Sequence, residues 1–285
     1  MINLAGRNLR MYLRDYSGVF FSFLAVLIII GLYILFLGDP LKSGVRDVEG
    51  GTLLVDIWVM AGIIAVTSFT TSLGACGIII EDRIKKNYKD FMSSPLYRWQ
   101  IVGGYVLSAC AVALMMCLGI FIIVVFYLTS NGMPALSFVR LLQILGVMLL
   151  SAISSSSIVL FITSFLKTDN AYGSVSALLG TLIGFLTGMY FPVGMVQENV
   201  QWLMKLFPPT HASVLLRQVM LKDHMAVVFA GAPGEYQSGF EQSMGVVFTF
   251  GDYTATVGLH IGVLVVTTVV FAVFAIINIS RKAKV

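Results

Sequence analysis

Charge is scarce in this chain: Asp, Glu, Lys and Arg make up only 11% of its 285 residues, where a soluble domain carries about a quarter. So little polar surface excludes an ordinary water-soluble globule. Cysteine is also scarce, and Cys76, Cys110 and Cys117 all lie inside apolar stretches. An odd number without framework spacing excludes a disulfide scaffold. The three histidines, His211, His224 and His260, show no metal-ligand spacing, so no metal site is expected. No Gly-Lys dipeptide occurs, which leaves no Walker A phosphate loop. The formal charge of +4 is modest, and no nucleic-acid partner is expected.

What is present is apolar: 58% hydrophobic residues and a mean hydropathy of +0.93. Six segments of bilayer length stand out, at 17–37, 57–80, 101–128, 141–166, 172–190 and 254–279. A spanning helix needs about 20 such residues, so the chain reads as one all-α integral membrane domain over 1–285 with six transmembrane helices. The first apolar run follows an arginine-bearing segment and exceeds the length of a secretory signal core. One set of loop ends carries twelve of the 18 Lys and Arg residues and the opposite set six. That bias places both termini in the cytoplasm, and the cell membrane is the expected location. No span carries an ionisable residue near its middle, which weighs against ion-coupled transport. Hydroxyls at Thr67–Ser72 and Ser151–Ser157 either line a pathway or bond between helices.

Three further segments do not span. Over 1–16, Ile2, Leu9, Leu13 and Tyr16 share one helical face and Arg7, Arg10 and Arg14 the other. Such a basic amphipathic helix is expected in the interface, with its arginines on anionic lipid headgroups. The cytoplasmic loop 81–100 predicts a helix over Asp82–Met92, ended by Pro95. Past the fifth span, the external segment 191–221 holds a short helix over Ala212–Leu221, capped by Thr210. The remainder, 222–253, reads as a loop with little regular structure.

Three stretches carry a family resemblance. RNLRMYLRD (Arg7–Asp15), KDFMSSPLYRWQIVGGYVLSA (Lys89–Ala109) and GMYFPVGMVQENVQWLMKLFPPTHASVLLRQVML (Gly188–Leu221) resemble permease subunits of type-2 ATP-binding-cassette (ABC) exporters. The resemblance implies a non-catalytic permease that moves an amphipathic drug, peptide, lipid or glycan. It implies a second permease subunit, identical or not, and a cytosolic ABC ATPase subunit that holds the ATP and Mg; this chain itself binds no cofactor. Arg83, Lys86, Lys89, Asp90, Phe91, Met92, Pro95 and Arg98 would form the coupling site for that ATPase. Phe191, Pro192, Pro208, Pro209, His211 and Arg217 would belong to a re-entrant hairpin capping the exit. Gly180, Gly184 and Gly188, four residues apart, form a small-residue face for dimer contact or packing within the subunit. His211 reads as a hydrogen-bonding histidine more than a proton switch, and Arg217 as a snorkelling one. The rival reading is a membrane sensor or assembly factor that uses the 222–253 loop. An intramembrane enzyme would need a catalytic cluster, and His260 stands alone.

Overall fold

A computed structural model describes residues 1–87, 91 and 97–282 of the chain. Among the described residues the regular structure is helical, apart from one two-stranded hairpin. In chain order the helices are α1 (Ile2–Arg14), α2 (Tyr16–Leu32), α3 (Gly38–Lys42), α4 (Gly51–Ile84), α5 (Arg98–Ser130), α6 (Phe138–Phe165), α7 (Asp169–Leu186), α8 (Glu198–Leu206), α9 (Pro208–Val228), α10 (Gly234–Ser243) and α11 (Val257–Lys282). Strands β1 (Thr249–Phe250) and β2 (Tyr253–Thr254) precede α11. A π-helical turn over Tyr33–Leu37 joins α2 to α3.

Five helical runs among the described residues are long and apolar enough to cross a membrane: Tyr16–Val45, α4, α5, α6 and Val257–Ile279. The sequence's fifth span, 172–190, is represented by α7, whose 18 residues reach about 27 Å, just short of a hydrocarbon core of about 30 Å.

Helix α4 is the centre of the bundle. Its membrane-length window is 94% buried, against 17% for the first run, and α5, α6, α7 and α9 pack around it. Small residues make this possible, because Ala61, Gly62, Ala65, Ser68, Ser72 and Ala75 let neighbouring backbones approach. The hydroxyls turn inward. Thr67, Thr71 and Ser72 each donate to the carbonyl four residues back, and Ser72 meets Ser156 of α6 at 3.1 Å. These groups serve their own helices and one contact between helices.

Both ends of α4 carry a buried carboxylate. At one end Asp56, 4% exposed, accepts from Tyr33 at 2.7 Å and pairs with Lys42 at 2.8 Å. At the other end Asp82 is fully buried. The 26 residue steps from one to the other span about 39 Å, close to a bilayer with its headgroups, about 40–45 Å.

The segment beyond α7 is more ordered than the sequence suggests. The helix expected over Ala212–Leu221 runs over Pro208–Val228, with prolines in its first turn where their missing N–H costs nothing. Thr210 is no cap: its hydroxyl donates to Leu186 O at 2.9 Å. Residues expected to be loop form α10 and the β1–β2 hairpin, which fold back over the bundle. Trp58 of α4 donates Nε1–H to Met244 O at 2.7 Å, and Phe248 is buried.

Candidate functional site

The end of the bundle bearing α1 is built on Asp82. Arg7 of α1 grips both its carboxylate oxygens, at 2.6 and 2.8 Å. Tyr105 of α5 donates to it at 2.8 Å, and Asn87 adds a longer bond at 3.4 Å. Three segments thus converge on one carboxylate. The hydrogen bond that Arg7 donates to Asp82 holds its guanidinium above the ordinary pKa, so the pair stays charged at neutral pH. Arg7 therefore does not face headgroups; Arg10 and Arg14 are exposed. The buried face of α1 is Leu4, Ala5, Asn8 and Tyr12, with Leu4 and Asn8 against α5 and Tyr12 bonded to Ser22 of α2. Ile2, Leu13 and Tyr16 of the expected apolar face are exposed, as suits side chains entering lipid.

The predicted loop helix does not begin at Asp82. Helix α4 continues to Ile84, and Arg83 donates to the Thr163 and Leu166 carbonyls. It caps the C-terminus of α6, where a cation is favoured. Lys86 follows with φ +63°, a left-handed turn that stops the helix and redirects the chain. Phe91 lies beneath the Arg7 guanidinium, 5.3 Å from ring centroid to carbon. Arg98 opens α5, half-buried. Lys89, Asp90, Met92 and Pro95 lie outside the described residues.

At the other end, α7 stops in a Schellman turn. Met189 N–H bonds to Gly184 O and Gly188 N–H to Phe185 O, with Gly188 at φ +65° in the position that favours glycine. This separates the three glycines predicted to share a face. Gly188 makes the turn, and Gly184 lies under the Tyr190 ring, which an added Cβ would approach to 2.3 Å. Gly180 alone of the three stands open.

Arg217 of α9 reaches this turn. Fully buried, it donates to Gly188 O at 2.7 Å and Thr187 O at 3.5 Å, and its guanidinium carbon stands 4.2 Å from the Trp58 ring centroid. It does not snorkel. Gly62 leaves the room for it, since a Cβ there would meet Nη2 at 3.1 Å. No ion pair to a carboxylate joins it among the described residues. Its counter-charge is the partial negative end of α7 and the aromatic face. Burial pushes the guanidinium down to about 9, leaving it protonated at neutral pH.

His211 and His260, 49 residues apart in sequence, meet Nδ1 to Nδ1 at 2.7 Å, with Phe248 edge-on to both. His211 Nε2 faces Lys205 O at 2.9 Å and must donate there. His211 Nδ1 then accepts, and His260 donates Nδ1–H. His260 is therefore partnered, and only contacts in three dimensions reveal it. Phe207, between α8 and α9, meets Phe69 of α4 at 6.1 Å between centroids. That places it 13 residues inward of Asp56, about 20 Å along the helix axis. Phe191 is exposed and stacks on Phe185 at 6.2 Å, Pro192 and Pro209 are buried, and Pro208 is half-buried.

Burial holds the His211 imidazole below its ordinary value, the Lys205 carbonyl opposing only in part. Protonation therefore favours the unfolded chain. Its stabilising contribution is full above about pH 6.5 and is lost as pH falls from there toward the lower folded value. His260 and the Lys205 segment are the groups facing it. The melting temperature is expected to drop more between pH 7.5 and 5.5 in the wild type than in His211→Gln. An equal drop in both would show that His211 carries none of the dependence.

With this geometry in view, comparison with known protein families finds a match. A family model described as an ABC-2 family transporter protein covers residues 49–277, from α4 into α11. No curated protein matches the chain.

Proposed function

The chain belongs to the ABC-2 transporter family, and from that premise we propose that this permease subunit is an exporter worked by a separate ATPase that grips the loop after α4. The observation that carries the reading is the placement of α4. One continuous 34-residue helix meets the Arg7–Phe91 side of the loop at one end, Arg217 near the other and Phe207 at its middle. A packed helix transmits displacement along its length, which a flexible segment does not. ATP and Mg bind on the partner; its closure pushes the loop, and α4 carries the movement to the outer contacts.

In this reading the chain crosses six times, with α7 as the fifth crossing and both termini cytoplasmic. α8 descends from the outer surface and α9 returns, so that Phe207 marks the tip of a re-entrant hairpin. Backbone survives at that depth where protein groups satisfy it, as His211 does for Lys205 O in the hairpin and Thr210 and Arg217 do for the carbonyls ending α7. The hairpin caps the exit of an amphipathic cargo. The open side of α7, with Gly173, Ala177 and Gly180 exposed or half-exposed, faces a second permease subunit. A sensor or assembly factor would need no ATPase.

Affinity purification of the tagged chain from its native membrane, in mild detergent, separates these readings. A stoichiometric Walker A protein is expected, and it should be lost when residues 88–96 become a glycine-serine linker. Purification of the chain alone across several detergents would overturn the exporter reading.

A further inference from the structure

A groove lies between α6, α9 and α11, at the end of the bundle remote from α1. Its volume is about 440 Å³, within the range of pockets that hold small ligands. The floor is apolar, with Val147 and Leu150 from α6, Leu215 from α9 and Ile261 from α11. Gly146 keeps it open, since a Cβ there would meet nothing within 4 Å. Leu142, Leu149 and Val265 beside it are exposed, so the groove opens sideways onto whatever bathes the apolar belt of the bundle.

The rim is polar and carries one unneutralised charge. Asp223 holds Arg140 through two bonds at 2.6 and 2.9 Å, and Gln143 accepts from it at 3.1 Å. The hydrogen bond from Arg140 keeps the Asp223 carboxyl below the usual carboxylate range, so the pair is closed and neutral overall. Lys222 is exposed and has no ion pair among the described residues. Next to it, Gln218 donates Nε2–H to Val246 O at 2.9 Å, which fixes its other end as the carbonyl. That Oε1 is shielded from water and has no hydrogen-bond partner, so the polar part of the groove open to a ligand is Lys222. A second cavity of about 390 Å³ lies on the other side of Gln218 and Lys222.

We propose that this groove is a binding site for an anionic glycerophospholipid. One acyl chain runs over the Gly146 floor and the phosphate meets Lys222. The apolar floor and the sideways opening select an acyl chain. The single free cation selects a net negative headgroup over a zwitterionic one. The site stands apart from the coupling loop and does not depend on transport.

Native mass spectrometry of the full chain, released from nanodiscs of phosphatidylglycerol or phosphatidylcholine, tests this. The wild type should retain phosphatidylglycerol about tenfold better than phosphatidylcholine, the scale of one charge-assisted hydrogen bond. Lys222→Gln, at an exposed position that keeps the fold, should abolish the preference. Gly146→Leu should lose retention of either lipid at an unchanged melting temperature. Equal retention of the two lipids by the wild type, or undiminished phosphatidylglycerol on Gly146→Leu, would overturn the proposal.

Discussion

Replacing Asp82 by asparagine is expected to destabilise the folded chain by about 3 kcal/mol and to free α1 from the bundle. Breaking a fully buried ion pair costs about 3–5 kcal/mol. The lower end applies because Arg7 is 32% exposed at its side chain and water screens part of the loss. The amide cannot satisfy the bidentate guanidinium, and Tyr105 loses a charged acceptor. The double variant Arg7→Gln/Asp82→Asn should cost about 1–3 kcal/mol less than the sum of the two singles, the coupling expected of residues in direct contact. Unfolding by a graded detergent series, read by tryptophan fluorescence, gives both numbers. Protease sensitivity near Asp15 reports the release of α1. Additive singles would mean that the Arg7–Asp82 contact does not hold α1 in place.

Replacing Arg217 by alanine is expected to cost about 3–5 kcal/mol. The change opens a void beside Trp58 and leaves the Gly188 carbonyl without its donor, and both losses are of kcal/mol size. Arg217→Met keeps most of the volume and removes the charge from the interior. Apolar replacement of a buried charge is often neutral, so its loss should be under half that of alanine. Hydrogen exchange should rise over residues 187–197 in the alanine variant before the rest of the bundle opens. An alanine variant within about 0.5 kcal/mol of wild type, a typical surface-substitution effect, would remove Arg217 from the account of how α9 holds the end of α7.

The membrane-crossing helices were legible because the bilayer writes a one-dimensional signal, a run of about 20 residues without charge. Their ends were less so. Asp82 and Arg83 end the apolar run and read as loop, yet α4 carries both to partners inside the protein. A paired charge looks like a solvated one until its partner is placed. Hydropathy also could not single out α4 as the buried helix, since lipid-facing and protein-facing residues are alike apolar; its surplus of small residues was the available clue. Gly180, Gly184 and Gly188 kept perfect spacing in sequence, but the Schellman turn after Leu186 ends the helix that spacing assumed. His211 with His260, and Arg217 with Trp58, are joined only through the packing of distant segments. The ordered α10 and β1–β2 hairpin were hidden by glycine content, which signals turns without saying what lies between them.

Docking of an ATPase at the Asp82 end of α4 is open to site-directed cross-linking in native membranes. Cys76, Cys110 and Cys117 are buried, so a single added cysteine directs a bifunctional maleimide. Lys86 is exposed at the turn ending α4, and Ala232 is exposed on the opposite side of the bundle, next to α10. Lys86→Cys should form a covalent adduct with a Walker A protein, and Ala232→Cys should form none. Absence of an adduct from Lys86→Cys in membranes that yield the ATPase by co-purification, or equal adducts from both positions, would contradict docking there.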